Sequence, residues 1–120
     1  MAHLALHVLI PLLVARVVYR RRWALVALIL ISTMAVDVDH LLADPIYDPA
    51  RCSIGFHPLH TLPAIAVYLC LFLLPFLFHR SGDGRRWRSI STARAVQLLG
   101  LGLLIHMALD WSDCWAWFPT

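Results

Sequence analysis

Residues 23–43 read WALVALILISTMAVDVDHLLA, an apolar stretch that ends in two aspartates and a histidine. Its length matches the roughly 20 residues that an α-helix needs to cross the hydrocarbon core of a membrane. Asp37, Asp39 and His40 fall together near one end of this stretch. Ionisable side chains within a membrane span are costly, and they usually face the protein interior, where they are paired or functional. The stretch therefore predicts a membrane helix with functional groups at one end.

Three further apolar runs lie around this one, over residues 4–19, 59–78 and 95–111. Hydrophobic residues make up 61% of the 120-residue chain and charged residues only 14%, with a mean hydropathy of +0.74. Soluble domains are about 45–50% apolar and about 25% charged, which argues against a soluble, disordered or nucleic-acid-binding protein. We therefore expect an all-α integral membrane protein, a four-helix bundle formed by one domain over residues 1–120.

The arginines predict the orientation of this bundle. Arg20–Arg22 follow the first run and five arginines follow the third, between residues 80 and 94, whereas the loops of the other side hold only Arg51. Positive residues tend to stay in the cytoplasm, so both termini should face the periplasm of a bacterial inner membrane. The net charge of +3 and the pI of 9.1 then reflect this orientation and not a nucleic-acid partner.

Histidines and aspartates from four separate segments should meet at the opposite, periplasmic end. Spacings of three or four residues place the members of a pair on one helix face. Such pairs are His3 with His7, Asp37 with His40, His57 with His60, and His106 with Asp110. Imidazole and carboxylate ligands suit a divalent metal ion, most simply zinc, with manganese or iron as alternatives.

Some of these residues have other interpretations. His3 also fits a solvated terminal residue, and His57 fits a loop residue because Pro58 follows it. Asp37 and Asp39 point to different helix faces, so one of them can orient a histidine instead of binding metal. A hydrogen-bonded polar core without metal is the alternative for the whole set.

Two further features lie on the predicted periplasmic side, near this cluster. Cys52 and Cys114 can form a disulfide in an oxidising periplasm, with free thiols or thiolate ligands as alternatives. Arg51 can hold an anionic phosphate or carboxylate group through two guanidinium nitrogens. It can equally form an ion pair with Asp44 or Asp48.

Three short motifs resemble those of the YdjM-type metal-dependent hydrolases, which are LexA-regulated bacterial inner-membrane proteins. Asp37-Val38-Asp39-His40 is similar to their D-x-D-H motif, His60-Thr61 to T-H-S, and His106 through Asp110 to H-x-x-x-D. The stretch RCSIGFHPLH, residues 51–60, is similar to a small family of bacterial membrane proteins with no assigned function.

The hydrolase family is grouped with zinc-dependent phospholipases C, and the resemblance implies a comparable metal site. One ion would be held by Asp37 or Asp39 with His60, His106 and Asp110, and a second by His3 or His7 with Asp110. The chain lacks an H-R-G stretch before His60 and contains no glutamate, which favours one or two ions over three.

The expected function is metal-dependent hydrolysis of a phosphoester in a membrane lipid or close to the membrane. Alternatives are a metal- or haem-binding membrane protein without catalysis, and a metal transporter or accessory protein. The expected metal ligands are His7, Asp39, His40, His57, His60, His106 and Asp110. The expected catalytic residues are Asp37 or Asp39 as the acceptor of a water proton and Arg51 as the binder of the anionic head group.

Overall fold

Four α-helices form the frame of the protein in a computed structural model, which describes residues 2–46, 48, 51–78 and 91–116. The expected all-α fold is confirmed, because this part of the chain contains helices and turns and no strand. The helices are α1 (Ala2–Val18), α2 (Trp23–Ser32), α3 (Leu62–Phe78) and α4 (Thr92–Ala116). Helix α4 contacts each of the other three. The arginine-rich linker over residues 79–90 and residues 117–120 lie outside the described residues.

The apolar stretch that begins at Trp23 changes its helical form halfway along. Residues Thr33–Leu42 form a 3₁₀ helix that continues α2. Its buried residues are Thr33, Val36 and Asp39, a spacing of three that matches the three residues per turn of a 3₁₀ helix. The Thr33 hydroxyl donates to the Leu30 carbonyl at 2.6 Å, and such side-chain bonds compete with the regular α-helical pattern.

The third apolar run begins later than its hydropathy predicts. Pro58–His60 form a separate 3₁₀ turn, and Thr61 then adopts an extended conformation before α3 starts at Leu62. The expected helix over 59–78 is therefore shorter at its start. His57 lies outside the turn, also in an extended conformation, so His57 and His60 do not share a helix face.

Apolar side chains and two glycines pack the half of the bundle away from the His and Asp residues. Its buried core consists of Ala15, Val26, Ala27, Leu30 and Leu98. Gly100 brings α4 against α3, because a Cβ added there would lie 2.5 Å from the Phe72 backbone nitrogen. Gly102 brings α4 against the start of the 3₁₀ segment, where its Cβ would meet the Thr33 side chain at 2.7 Å. Close approach through small residues is typical of helices packed in membranes.

The outer surface exposes many apolar side chains, and the interior contains polar ones. Large apolar side chains are exposed on every helix, for example Leu13, Leu28, Leu74 and Leu99. Among the described residues, the buried side chains include four histidines and two aspartates. Two helical stretches, Trp23–Leu42 and Thr92–Ser112, are long and apolar enough to cross a membrane, and α1 and α3 are shorter apolar helices.

A disulfide joins the middle loop, the segment between Leu42 and Pro58, to the end of α4. Cys52 and Cys114 are 62 residues apart in sequence, and their Cα atoms lie 5.1 Å from each other. The bond connects the loop that leads into His57 and His60 with the helix that carries Asp110. The sequence left this pairing open, and the structure contains it.

Candidate metal centre

Histidines and aspartates from four segments lie together at one end of the bundle. They form three groups that can each hold a metal ion. The central group is Asp37, His60, His106 and Asp110; the N-terminal group is His3, His7 and Asp110; the rim group is Asp39, His40 and His57. The start of α1, the 3₁₀ segment, the turn before α3 and the second half of α4 supply these residues.

The central group combines two imidazoles with two carboxylates. Asp37 Oδ1 lies 2.9 Å from His106 Nε2 and 3.4 Å from His60 Nε2. Asp110 Oδ2 lies 3.1 Å from His60 Nε2 and 3.6 Å from His106 Nε2. His60, His106 and Asp110 are buried, whereas Asp37 is 38% exposed. Four nitrogen and oxygen donors from protein side chains are a complete set of ligands for zinc.

Asp110 also belongs to the N-terminal group through its other carboxylate oxygen. Its Oδ1 lies 3.0 Å from His3 Nε2 and 3.2 Å from His7 Nε2. Its Oδ2 faces His60 and His106 in the central group. One carboxylate thus separates two pairs of imidazoles, an arrangement in which it can bridge two metal ions.

Three buried atoms between these groups make no hydrogen bond within the described part of the chain: His7 Nε2, His60 Nε2 and Asp110 Oδ2. Both imidazoles use the other ring nitrogen, because His7 Nδ1–H donates to the His3 carbonyl at 3.1 Å and His60 Nδ1–H to Asp39 Oδ2 at 3.2 Å. In a neutral ring, the Nε2 lone pair then faces an Asp110 oxygen. A proton or a metal ion between these atoms removes the repulsion, so the donor set fits a cation.

Asp39 holds His60 in place and lies behind the central group. Its Oδ2 accepts from His60 Nδ1–H and, at 2.8 Å, from the Leu59 backbone N–H. Its Oδ1 lies 3.1 Å from His40 Nδ1. The Tyr68 hydroxyl donates to the Leu59 carbonyl at 2.9 Å and fixes the same turn. With both oxygens occupied, Asp39 serves better as a positioning residue than as an acceptor of a water proton.

The rim group lies beside the central group and, like it, combines buried residues with one that is partly exposed. The ring of His40, 28% exposed, stacks on that of His57 with centroids 3.8 Å apart. Burial lowers the pKa of His57, and the neighbouring His40 ring adds to this effect. His57 is therefore held as a neutral imidazole, the form that stacks on His40 without charge repulsion.

Arg51 is directed toward its own loop. Its Nη1 donates to the Pro45 carbonyl at 2.8 Å, and its Nη2 lies 3.8 Å from Asp48 Oδ2. The guanidinium carbon lies 4.5 Å from the centre of the Phe56 ring. Of the two roles open to Arg51 in the sequence, these contacts favour the structural pairing with Asp48.

The structure brings together more residues than the sequence singled out. His3, for which the sequence left a solvated position open, contacts Asp110, and Asp37 takes the position beside His60 and His106 that the sequence left open between two aspartates. Ser53 and Tyr68 are residues that the sequence gave no reason to choose. Their contacts depend on how the middle loop folds over the bundle, and no motif marks them.

Comparison with known proteins gives a family but no activity. Residues 1–80 match the family DUF6122, described as a family of unknown function. This range includes α1, the 3₁₀ segment and the turn with His60, and it ends before the α4 residues His106 and Asp110. No curated protein and no solved structure gives a significant match. Since the matched range covers most of the chain, this protein belongs to the DUF6122 family.

Proposed function

We propose that this protein is a membrane-embedded, metal-dependent hydrolase that cleaves a phosphoester in a lipid or close to the membrane surface. One observation carries the proposal: Asp110 lies between two pairs of imidazoles, and buried Nε2 atoms face its carboxylate without a hydrogen bond. The motif resemblance to YdjM-type hydrolases supports the same assignment. The residues that carry it are the D-x-D-H-like stretch at 37–40, His60 and the stretch from His106 to Asp110.

The central group would hold one ion and the N-terminal group a second, both sharing Asp110. Zinc suits this mixture of imidazole and carboxylate ligands, and manganese and iron also accept it. A bound ion would lower the pKa of a water molecule and polarise a phosphoryl oxygen. Asp39 keeps the His60 ring in the tautomer whose Nε2 can bind metal.

The position of the site supports a substrate at the membrane surface. The groups lie at one end of a bundle whose sides expose apolar residues on every helix. Lipid head groups are the phosphoesters concentrated at that depth. Arg51 lies in the loop next to the rim group, where a change of its partner from Asp48 to a phosphate would bring a positive charge to the substrate.

The proposal includes a bacterial inner-membrane location with four spans and both termini in the periplasm. The disulfide between Cys52 and Cys114 supports an oxidising compartment for the polar end. Eight of the ten arginines fall in sequence between the first and second or between the third and fourth apolar runs, as expected of cytoplasmic loops. A short peptide tag added to either terminus should be cleaved by a protease added to intact spheroplasts. Tags protected in spheroplasts and cleaved only after lysis would contradict this orientation.

Hydrolysis can be tested with purified full-length protein in mixed micelles of detergent and phosphatidylglycerol, with ³¹P NMR to detect the products. We expect hydrolysis that stops on treatment with a chelator and returns when zinc is added. Asp37→Asn should abolish the reaction, whereas Asp48→Asn, a carboxylate change outside the three groups, should leave it intact. A zinc-loaded wild-type protein that cleaves neither the lipid nor a soluble 4-nitrophenyl phosphodiester would contradict the proposal.

A further inference from the structure

Three side chains at the rim form a continuous line of contacts that the two proposed ion sites, the central and N-terminal groups, do not use. Ser53 Oγ lies 3.2 Å from His40 Nε2, and His40 Nδ1 lies 3.1 Å from Asp39 Oδ1. A hydroxyl bonded to one imidazole nitrogen, with a carboxylate on the other, is the arrangement that activates serine as a nucleophile. The three residues come from the 3₁₀ segment and the middle loop.

We propose that Ser53 is the nucleophile of this protein, with His40 as its general base and Asp39 as the residue that orients His40. The proposal rests on the proposed hydrolase function and refines it, since it gives the reaction a covalent intermediate on the protein. The substrate class is a phosphoester whose phosphoryl group is transferred to Ser53 before water releases it.

The ring of His40 is held in the orientation that this role needs. Asp39 Oδ1 accepts from Nδ1–H, which leaves the Nε2 lone pair to accept the Ser53 hydroxyl proton. The His57 ring stacks on His40 at an interplanar angle of 23° and limits its rotation. General bases work when they lie within hydrogen-bond reach of the proton that they take.

Ser53 differs from serines that hydrogen-bond within helices. Ser32 and Ser112 donate to the carbonyls of Ile29 and Leu109, three residues earlier in their own helices, at 2.7 Å each. Ser53 lies instead in a tight turn, where its carbonyl accepts from two backbone N–H groups, those of residues 56 and 57. The adjacent disulfide at residue 52 ties this turn to α4. The backbone thus presents the Ser53 hydroxyl to His40.

The relay is adjacent to the central group. His40 Nδ1 lies 3.6 Å from Asp37 Oδ1, and the His40 and His60 ring centroids are 5.1 Å apart. A phosphoryl group held at the central group would lie on the Nδ1 side of the His40 ring, whereas Ser53 lies at Nε2, so the phosphoryl group must extend past this ring to meet Ser53. The partial exposure of His40 and Asp37 leaves this side accessible.

The proposed reaction needs only the substrate and water. The Ser53 oxygen bonds to phosphorus as its proton moves to His40 Nε2, and the bond from phosphorus to the alcohol oxygen breaks. The alcohol leaves with the proton from His40. Water then bonds to phosphorus and gives a proton to His40, the bond between phosphorus and Ser53 breaks, and the serine oxygen takes that proton back.

A fluorophosphonate probe tests the nucleophile directly, because the serine oxygen displaces fluoride and remains bonded to phosphorus. Purified full-length protein in detergent is treated with the probe, digested with trypsin and analysed by mass spectrometry. We expect an adduct on the peptide that starts at Cys52, in which Ser53 is the only serine before Arg80. Ser53→Ala should abolish this adduct, and Ser112→Ala should leave it unchanged. His40→Gln should slow labelling by about 10²-fold or more.

The outcomes separate this inference from the proposed function. Phosphoester hydrolysis that continues at the wild-type rate in Ser53→Ala would overturn the role of Ser53 and leave the hydrolase proposal standing. Absence of an adduct on wild-type Ser53, or equal labelling rates in His40→Gln, would also overturn it. A third metal ion per chain that is lost in His57→Ala would overturn the role of Ser53 as well. An intact disulfide and unchanged zinc content in Ser53→Ala and His40→Gln would show that these variants are folded.

Discussion

Both halves of the bundle contain fully buried side chains, but the halves are held together in different ways. Ala15 in the apolar half and His60 in the polar end are both 0% exposed. The apolar half relies on buried alanine, valine and leucine side chains and on the close approach of α4 at Gly100 and Gly102. The polar end relies on directed contacts, such as those of Asp39 with Leu59 and His60.

This difference indicates that stability and chemistry can be changed separately. Apolar packing is not directional, so a substitution there changes the free energy of unfolding while the polar end keeps its geometry. Each carboxylate at the polar end has partners on defined atoms, so a substitution there changes metal binding most. Four substitutions test this separation.

Asp110→Ala should have the largest effect, because it removes the one carboxylate that the central and N-terminal groups share. We expect both metal ions to be lost, as measured by elemental analysis after dialysis against a zinc buffer. Asp48→Ala, which changes a partly exposed aspartate paired with Arg51, is the matched control and should keep both ions. Full metal content in Asp110→Ala would contradict the shared site.

Leu30→Ala should have the largest effect on the apolar half. Leu30 is 1% exposed in the core cluster, and a buried Leu→Ala change costs about 2–5 kcal/mol of folding stability. Unfolding in detergent should show this loss, and zinc content of the folded fraction should remain at the wild-type value. A loss of zinc from folded Leu30→Ala protein would show that the two halves are coupled.

Asp39→Asn should weaken the central site without removing a ligand from it. Removal of a partner behind a metal-binding histidine typically lowers metal affinity by about 10–100-fold, and Asp39 is that partner for His60. Competition with a fluorescent zinc chelator would measure the change. A zinc affinity equal to that of wild type would show that Asp39 does not position His60.

Gly100→Ala should have the smallest effect of the four. The added Cβ would lie 2.5 Å from the Phe72 backbone nitrogen and 2.9 Å from the Leu71 carbonyl carbon, so α3 and α4 must move apart. Such overpacking costs about 1–3 kcal/mol. Gly102→Ala is the matched comparison and should cost less, because its nearest contact is the side chain of Thr33. Unfolding in detergent would compare them, and equal stability of Gly100→Ala and wild type would contradict this close contact.

The helical fold and the polar end were predictable from the sequence because both depend on composition along the chain. Runs of apolar residues predict helices, and the shared depth of His and Asp residues predicts that they meet. The separate roles of Asp37 and Asp39 were not predictable, because they depend on the 3₁₀ geometry of residues 33–42. The contact of Ser53 with His40 depends on a loop that the disulfide holds against α4.

Metal binding on both sides of Asp110 is the central claim, and anomalous diffraction at the zinc edge tests it most directly. Crystals of the wild-type protein grown with zinc should show two anomalous peaks. One should lie next to His60 and His106 and the other next to His3 and His7, with Asp110 shared between them. Crystals grown in excess zinc without an anomalous peak at Asp110 would contradict the claim and assign the cluster to a protonated, metal-free polar core.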